Sequence, residues 1–95
     1  MIERLRRMCA EYGVGIRFDD LGSWGATAEL RSEYDPERRE IVVNRRISPH
    51  LVMHAIAHEL YHHKEAIGEI VRLHQRRDRE RSADEHAVRL IARLR

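Results

Sequence analysis

The sequence predicts an α+β domain: an N-terminal helix, a small antiparallel sheet of about three strands and two further helices. Three observations carry this expectation. Apolar residues recur at spacings of three and four near the start and over the last half. Short runs that alternate apolar with polar residues stand between these stretches. No internal repeat, low-complexity tract or proline-rich linker divides the 95 residues, so residues 1–95 read as one domain.

Ile2, Leu5, Met8 and Tyr12 form one stripe of a first helix, which Gly13 and Gly15 end. Cys9, beside that stripe, reads as a buried small hydrophobe. Val14, Ile16 and Phe18 alternate as a strand, and Asp19 to Gly25 reads as a loop whose Trp24 is expected to pack in the core. About Ala26 to Ser32 and Arg39 to Asn44, on either side of Asp35-Pro36, make an antiparallel hairpin, and the sheet is expected to be a meander. Ser48-Pro49 then starts a helix, Ser as the cap and Pro at the first helical position. Leu51, Val52, Met53, Ala55, Ile56, Ala57 and Leu60 make it apolar on more than one face, which places it centrally. Gly68 ends or kinks it. The last helix, about Asp78 to Leu94, carries Ala83, Ala87, Leu90, Ile91 and Leu94 as its stripe.

Composition narrows the classes of function. With 36% charged residues and no apolar run of ~20, nothing in the sequence is suited to spanning a membrane. The charged start after Met1 lacks a secretory pattern, and the cytoplasm is the expected compartment. Seventeen of the 18 basic residues are Arg, yet the net charge is only +2. The run from Arg72 to Arg81 contains Asp78 and Glu80 and no aromatic residue, so it reads as solvated surface ahead of the alternative, a nucleic-acid patch of an accessory binding protein. One cysteine permits no internal disulfide. A chain this short is then left with a metal or a partner to add to a small core.

The central helix contains His58-Glu59-Leu60-Tyr61-His62, an H-E-x-x-H match. The i, i+4 spacing puts both imidazoles on one face a turn apart, where two nitrogens reach one Zn²⁺, and Glu59 stands beside them as a base. A third ligand must come from elsewhere. A metzincin pattern would require Gly and His where Glu65 and Gly68 stand, and so is excluded. Glu80 is the better candidate. It shares a helical face with Asp84, Ala87 and Ile91, so that both carboxylates continue an apolar stripe and need partners: the metal for Glu80, an imidazole N–H for Asp84. His74 is the weaker alternative for the third ligand. His50 and His54 continue the four-residue ladder and read as polar or cleft-edge residues.

His58-Glu59-Leu60-x-His62 followed by Glu80-x-x-Ala83-Asp84-x-x-Ala87 resembles the ImmA/IrrE family of gluzincin metallopeptidases and, more loosely, the minimal gluzincins. Glu40-Ile41-Val42-Val43-Asn44 and the Ser-Pro helix start are similar as well, and the likeness covers roughly residues 25–92. The resemblance implies a minimal zincin-like domain in which the sheet strand before the zinc helix borders a substrate cleft. It also implies a protein or peptide substrate, often a helix-turn-helix repressor.

On this reading His58, His62 and Glu80 hold Zn²⁺ with a water in the fourth position, Glu59 takes that water's proton, and Asp84 orients an imidazole. Tyr61, His63, Tyr34 and His86 are candidates for stabilising the oxyanion. So small a domain has little surface for choosing a substrate, and a partner or second copy completing the cleft is one expectation. The competing expectation is a zinc-stabilised regulatory or binding module without catalysis.

Overall fold

A computed structural model describes residues 2–22 and 31–95. Helix α1 (Ile2–Glu11) is followed by strand β1 (Gly15–Asp19), a hairpin of β2 (Ser32–Asp35) and β3 (Glu40–Asn44), and helices α2 (Pro49–Ala66) and α3 (Arg76–Leu94). This is the expected α+β architecture. The predicted places of Trp24 and of Ala26 to Leu30 lie outside the described residues.

The sheet corrects two expectations. Its order is β1-β3-β2, with β2 antiparallel to β3 but β1 parallel to it, Gly15 opposite Glu40 and Asp19 opposite Asn44. A mixed sheet therefore replaces the antiparallel meander. Parallel neighbours need a long return connection, and the residues between Asp19 and Glu40 provide it. The first hairpin strand also runs through Ser32–Asp35, nearer the turn than expected. Asp35 closes that turn, its Oδ1 accepting hydrogen bonds from the backbone N–H of Glu37 (3.0 Å) and Arg38 (3.2 Å).

Central position explains the composition of β3. Ile41 and Val43 point into the main core, and Val42 is buried on the opposite face. On the core side they share one apolar cluster with Leu5 and Cys9 of α1, Ile56 and Leu60 of α2, and Leu90 and Leu94 of α3. Cys9 is buried as expected, and burial pushes its thiol up to about 11, so it is un-ionised and unreactive at neutral pH.

Two glycines end helices as the sequence implied. Gly13 has φ 73°, and Val14 N–H bonds back to Cys9 C=O at 2.9 Å. Gly68 has φ 81°, with Glu69 N–H on Lys64 C=O at 2.9 Å. Both are the left-handed closures that glycine adopts without strain. At the other end of α2, Pro49 occupies the first turn as predicted, but the Ser48 side chain makes no capping hydrogen bond.

The pairing of α2 with α3 positions the site. Ala57, Leu60, Ala83 and Ala87 are fully buried, and their small or compact side chains let the helices approach closely. Lys64 Nζ meets His86 Nε2 at 3.0 Å within this contact, and burial, together with the Lys64 charge, pushes the His86 imidazole down to about 4. His86 is thus a neutral acceptor for a buried ammonium. Among the described residues no helix is long and apolar enough to cross a membrane.

Candidate metal centre

Helix α2 presents His58 and His62 on the face toward α3, and their Nε2 atoms lie 3.3 Å apart. Glu80 reaches them from the first turns of α3. Its Oε2 is 2.8 Å from His58 Nε2 and its Oε1 is 3.3 Å from His62 Nε2. The sequence-predicted ligands are therefore brought together.

The rear faces of the two imidazoles fix their chemistry. His58 Nδ1 lies 2.8 Å from Asp84 Oδ1, and His62 Nδ1 lies 2.7 Å from Glu65 Oε1. An ionised carboxylate can only accept, so each Nδ1 must carry the proton, and in the neutral ring the Nε2 lone pair then points forward. Two lone pairs and a carboxylate facing one another at such distances repel unless a metal cation or a shared proton sits among them. Four ligands at tetrahedral angles and bonds of ~2.05 Å stand about 3.3 Å apart. The His58 and His62 nitrogens already have that spacing, and Glu80 sets one carboxylate oxygen beside each of them, so the three side chains converge on one place.

Asp84 lies against His58, where the predicted orienting role would place it, and it touches more than that ring. Its Oδ1 also lies 3.1 Å from His54 Nε2 and 3.5 Å from Arg31 Nη2. Partial burial pushes its carboxyl up, but the hydrogen bonds from His54 and His58, with the His58 and Arg31 charges, hold it below the usual carboxylate range. His54, His58 and Asp84 are one of two sets of neighbouring donor groups, the other being His58, Glu59 and His62. One expectation about these carboxylates needs correcting. The Glu80 and Asp84 side chains are 42% and 51% exposed, so they face an open cleft instead of extending the buried stripe.

Glu59 is turned away from α3 toward β2. It is buried, and its Oε2 accepts a 2.6 Å hydrogen bond from Ser32 Oγ while lying 4.0 Å from His58 Nε2. Burial pushes its carboxyl above the usual range, against the opposing pull of the His58 charge, the Ser32 hydroxyl and His62. The group is thus adjacent to the donors, held in one orientation and readier than a surface carboxylate to carry a proton.

These residues open into a cleft of about 790 Å³ between β2 and the start of α3. Its sheet wall is Ser32, Glu33 and Tyr34 of the edge strand β2, not β3, which the resemblance had suggested and which is interior to the sheet. Of the four candidates for the oxyanion only Tyr34 lines the cleft, and its hydroxyl is engaged with His63 Nδ1 at 2.7 Å. His63 is fully buried behind it, while Tyr61 and His86 pack on each other. His74 is exposed on the connection between α2 and α3, and His50 is exposed at the start of α2.

Protein-family models, curated proteins and solved structures were all compared with the chain, and none matches it. The donor geometry therefore carries the functional reading alone. It establishes neighbouring His, Glu and Asp groups, from buried His58 and Glu59 to exposed Asp84, that could hold a metal ion.

Sequence reasoning overlooked Glu65, although its position three residues after His62 puts it on the same helical face. Its side chain is 5% exposed, and Arg79 Nε stands 3.8 Å from the other carboxylate oxygen. Groups that orient a ligating histidine typically contribute ~10–100-fold to metal affinity. Glu65→Ala is expected to weaken metal binding by about that factor, and Glu65→Gln, which keeps an acceptor, to recover much of it. Competition with a chromophoric chelator measures this, and equal affinity in all three proteins would show that His62 is oriented by its own packing.

Proposed function

We propose that the chain is a zinc metallopeptidase of the ImmA/IrrE-like gluzincin type, hydrolysing peptide bonds in a protein or peptide. The observation that carries the reading is the convergence of the His58, His62 and Glu80 side chains with the Glu59 carboxylate beside them in an open cleft. Two imidazoles and a carboxylate suit Zn²⁺, and three protein ligands with an open position are the catalytic pattern. When bound, zinc supplies a Lewis acid and acidifies a water to a pKa near ~7.

The chain's own residues account for the rest. Glu59 accepts the proton released in attack and returns it to the leaving amine nitrogen. Ser32, donating to Glu59 Oε2, holds that carboxylate in place. Asp84 and Glu65 fix the tautomers of His58 and His62. An extended substrate can add to the edge of β2 by main-chain hydrogen bonds, and the cleft is large enough for a few peptide residues. A helix-turn-helix repressor is the substrate that the motif resemblance favours.

Zinc-loaded protein should bind one ion with two imidazoles and one carboxylate by X-ray absorption. It should cleave a substrate protein in a manner abolished by chelation and restored by one equivalent of zinc. Stoichiometric zinc with no cleavage of any protein or peptide offered would favour the regulatory module instead.

A further inference from the structure

The connection between α2 and α3 reaches the cleft at Arg72, with exposed apolar residues flanking it just outside the lining, and its chemistry differs from that of the metal centre. Arg72 lines the cleft and makes no hydrogen bond or ion pair with any described residue. On either side of it Val71 is 82% exposed and Leu73 is 38% exposed, with Ile67 at 44% a turn earlier. Single exposed apolar residues are ordinary, but three within seven positions around an unpaired arginine make a mixed apolar and cationic rim.

The cleft's inner carboxylates are already occupied. Glu59 is held by Ser32, Glu65 by His62, Glu80 by both ligand imidazoles and Asp84 by His54 and His58. Arg31 and Arg79 lie deeper and face Asp84 and Glu65. An incoming chain therefore meets Arg72 as the uncommitted charge on this side. A guanidinium is suited to a carboxylate by its paired, parallel N–H donors.

We propose, resting on the peptidase reading of the cleft, that the enzyme selects peptide segments in which a Glu or Asp side chain is flanked by apolar residues, with the carboxylate on Arg72 and the apolar side chains on Val71 and Leu73. A nucleic acid is the poorer occupant, because Glu33, Glu59, Glu65, Glu80 and Asp84 line the same cleft and would repel a run of phosphates.

The test uses zinc-loaded Glu59→Gln protein, to measure binding without turnover, and fluorescein-labelled apolar peptides carrying one central Glu, Gln or Lys. The Glu peptide is expected to bind about tenfold more tightly than the Lys peptide at low salt, as attraction becomes repulsion at one exposed pair. Arg72→Glu in the same background is expected to abolish or invert that order while zinc content and circular dichroism stay unchanged. Wild-type protein should show the same order in KM with little change in kcat. Cleavage or binding that ignores the central charge would overturn the inference and leave the peptidase reading standing. Charge-ordered binding without any cleavage by wild type would support the inference and remove the peptidase reading. Failure of all three peptides to bind, or tighter binding of an oligonucleotide, would also overturn it.

Discussion

Replacing Glu59 by Gln is expected to lower kcat/KM by about a thousandfold, within the ~10²–10⁴-fold range of a positioned general base, while zinc stays bound and the fold is kept. Gln has nearly the volume of Glu, so the buried site is not opened, and its amide oxygen can still accept the Ser32 hydroxyl. What is lost is the basic oxygen. The metal ligands are separate groups, so zinc stoichiometry and activity should part company in this variant. Retained activity would remove Glu59 from the mechanism. Loss of zinc along with activity would instead make Glu59 a ligand.

Ser32 gives the same assignment a second readout. Its hydroxyl favours the ionised form of Glu59, and burial favours the protonated form. A base works only when deprotonated, so activity rises with pH through the Glu59 pKa. Ser32→Ala removes a stabiliser of the anion and should move the acidic limb of the kcat/KM profile to higher pH, with less effect on the plateau. A profile that does not move would show that Ser32 holds Glu59 in position without tuning it.

Much of this arrangement was legible in the residues, for physical reasons that differ from place to place. The zinc helix was readable because Pro49, Gly68 and a broad apolar run are local signals, and i, i+4 spacing converts directly into one helical face. Glu80 and Asp84 were readable because helical period relates them to Ala87 without knowledge of any other element. The sheet was less so. Ser32-Glu33-Tyr34-Asp35 has little apolar content to mark it, and the parallel pairing of Gly15–Asp19 with Glu40–Asn44 joins segments about 25 residues apart, which no local pattern records. Ser32 and Glu65 escaped notice for a related reason. An isolated Ser or Glu looks like surface until the tertiary fold brings Glu59 or His62 against it. Arg72, read as solvated surface, is indeed exposed, and only the fold shows that the surface in question is a cleft wall.

Stripping the metal is expected to cost about 4 kcal/mol of folding stability when zinc had been present at a thousandfold excess over its dissociation constant. For a domain of this size that corresponds to a fall of roughly 20 °C in Tm. The loss should be uneven along α3. Its second half is anchored by Ala87, Leu90 and Leu94 in the apolar core and by the His86–Lys64 contact. Its first half has Ala83 as its one buried apolar residue and is held to α2 chiefly through Glu80 and Asp84, whose imidazole partners His58 and His62 face one another across 3.3 Å. Without the ion that pair and the Glu80 carboxylate must share protons or move apart. Amide exchange in apo protein should therefore accelerate over residues 76–84 well before it does over residues 87–94. Adding Glu80→Ala to the zinc-loaded protein should reproduce much of the same loss, because it removes the ligand that joins the two helices. An apo protein with unchanged Tm and uniform protection along α3 would mean that the small apolar core holds the fold unaided and that zinc serves the cleft alone.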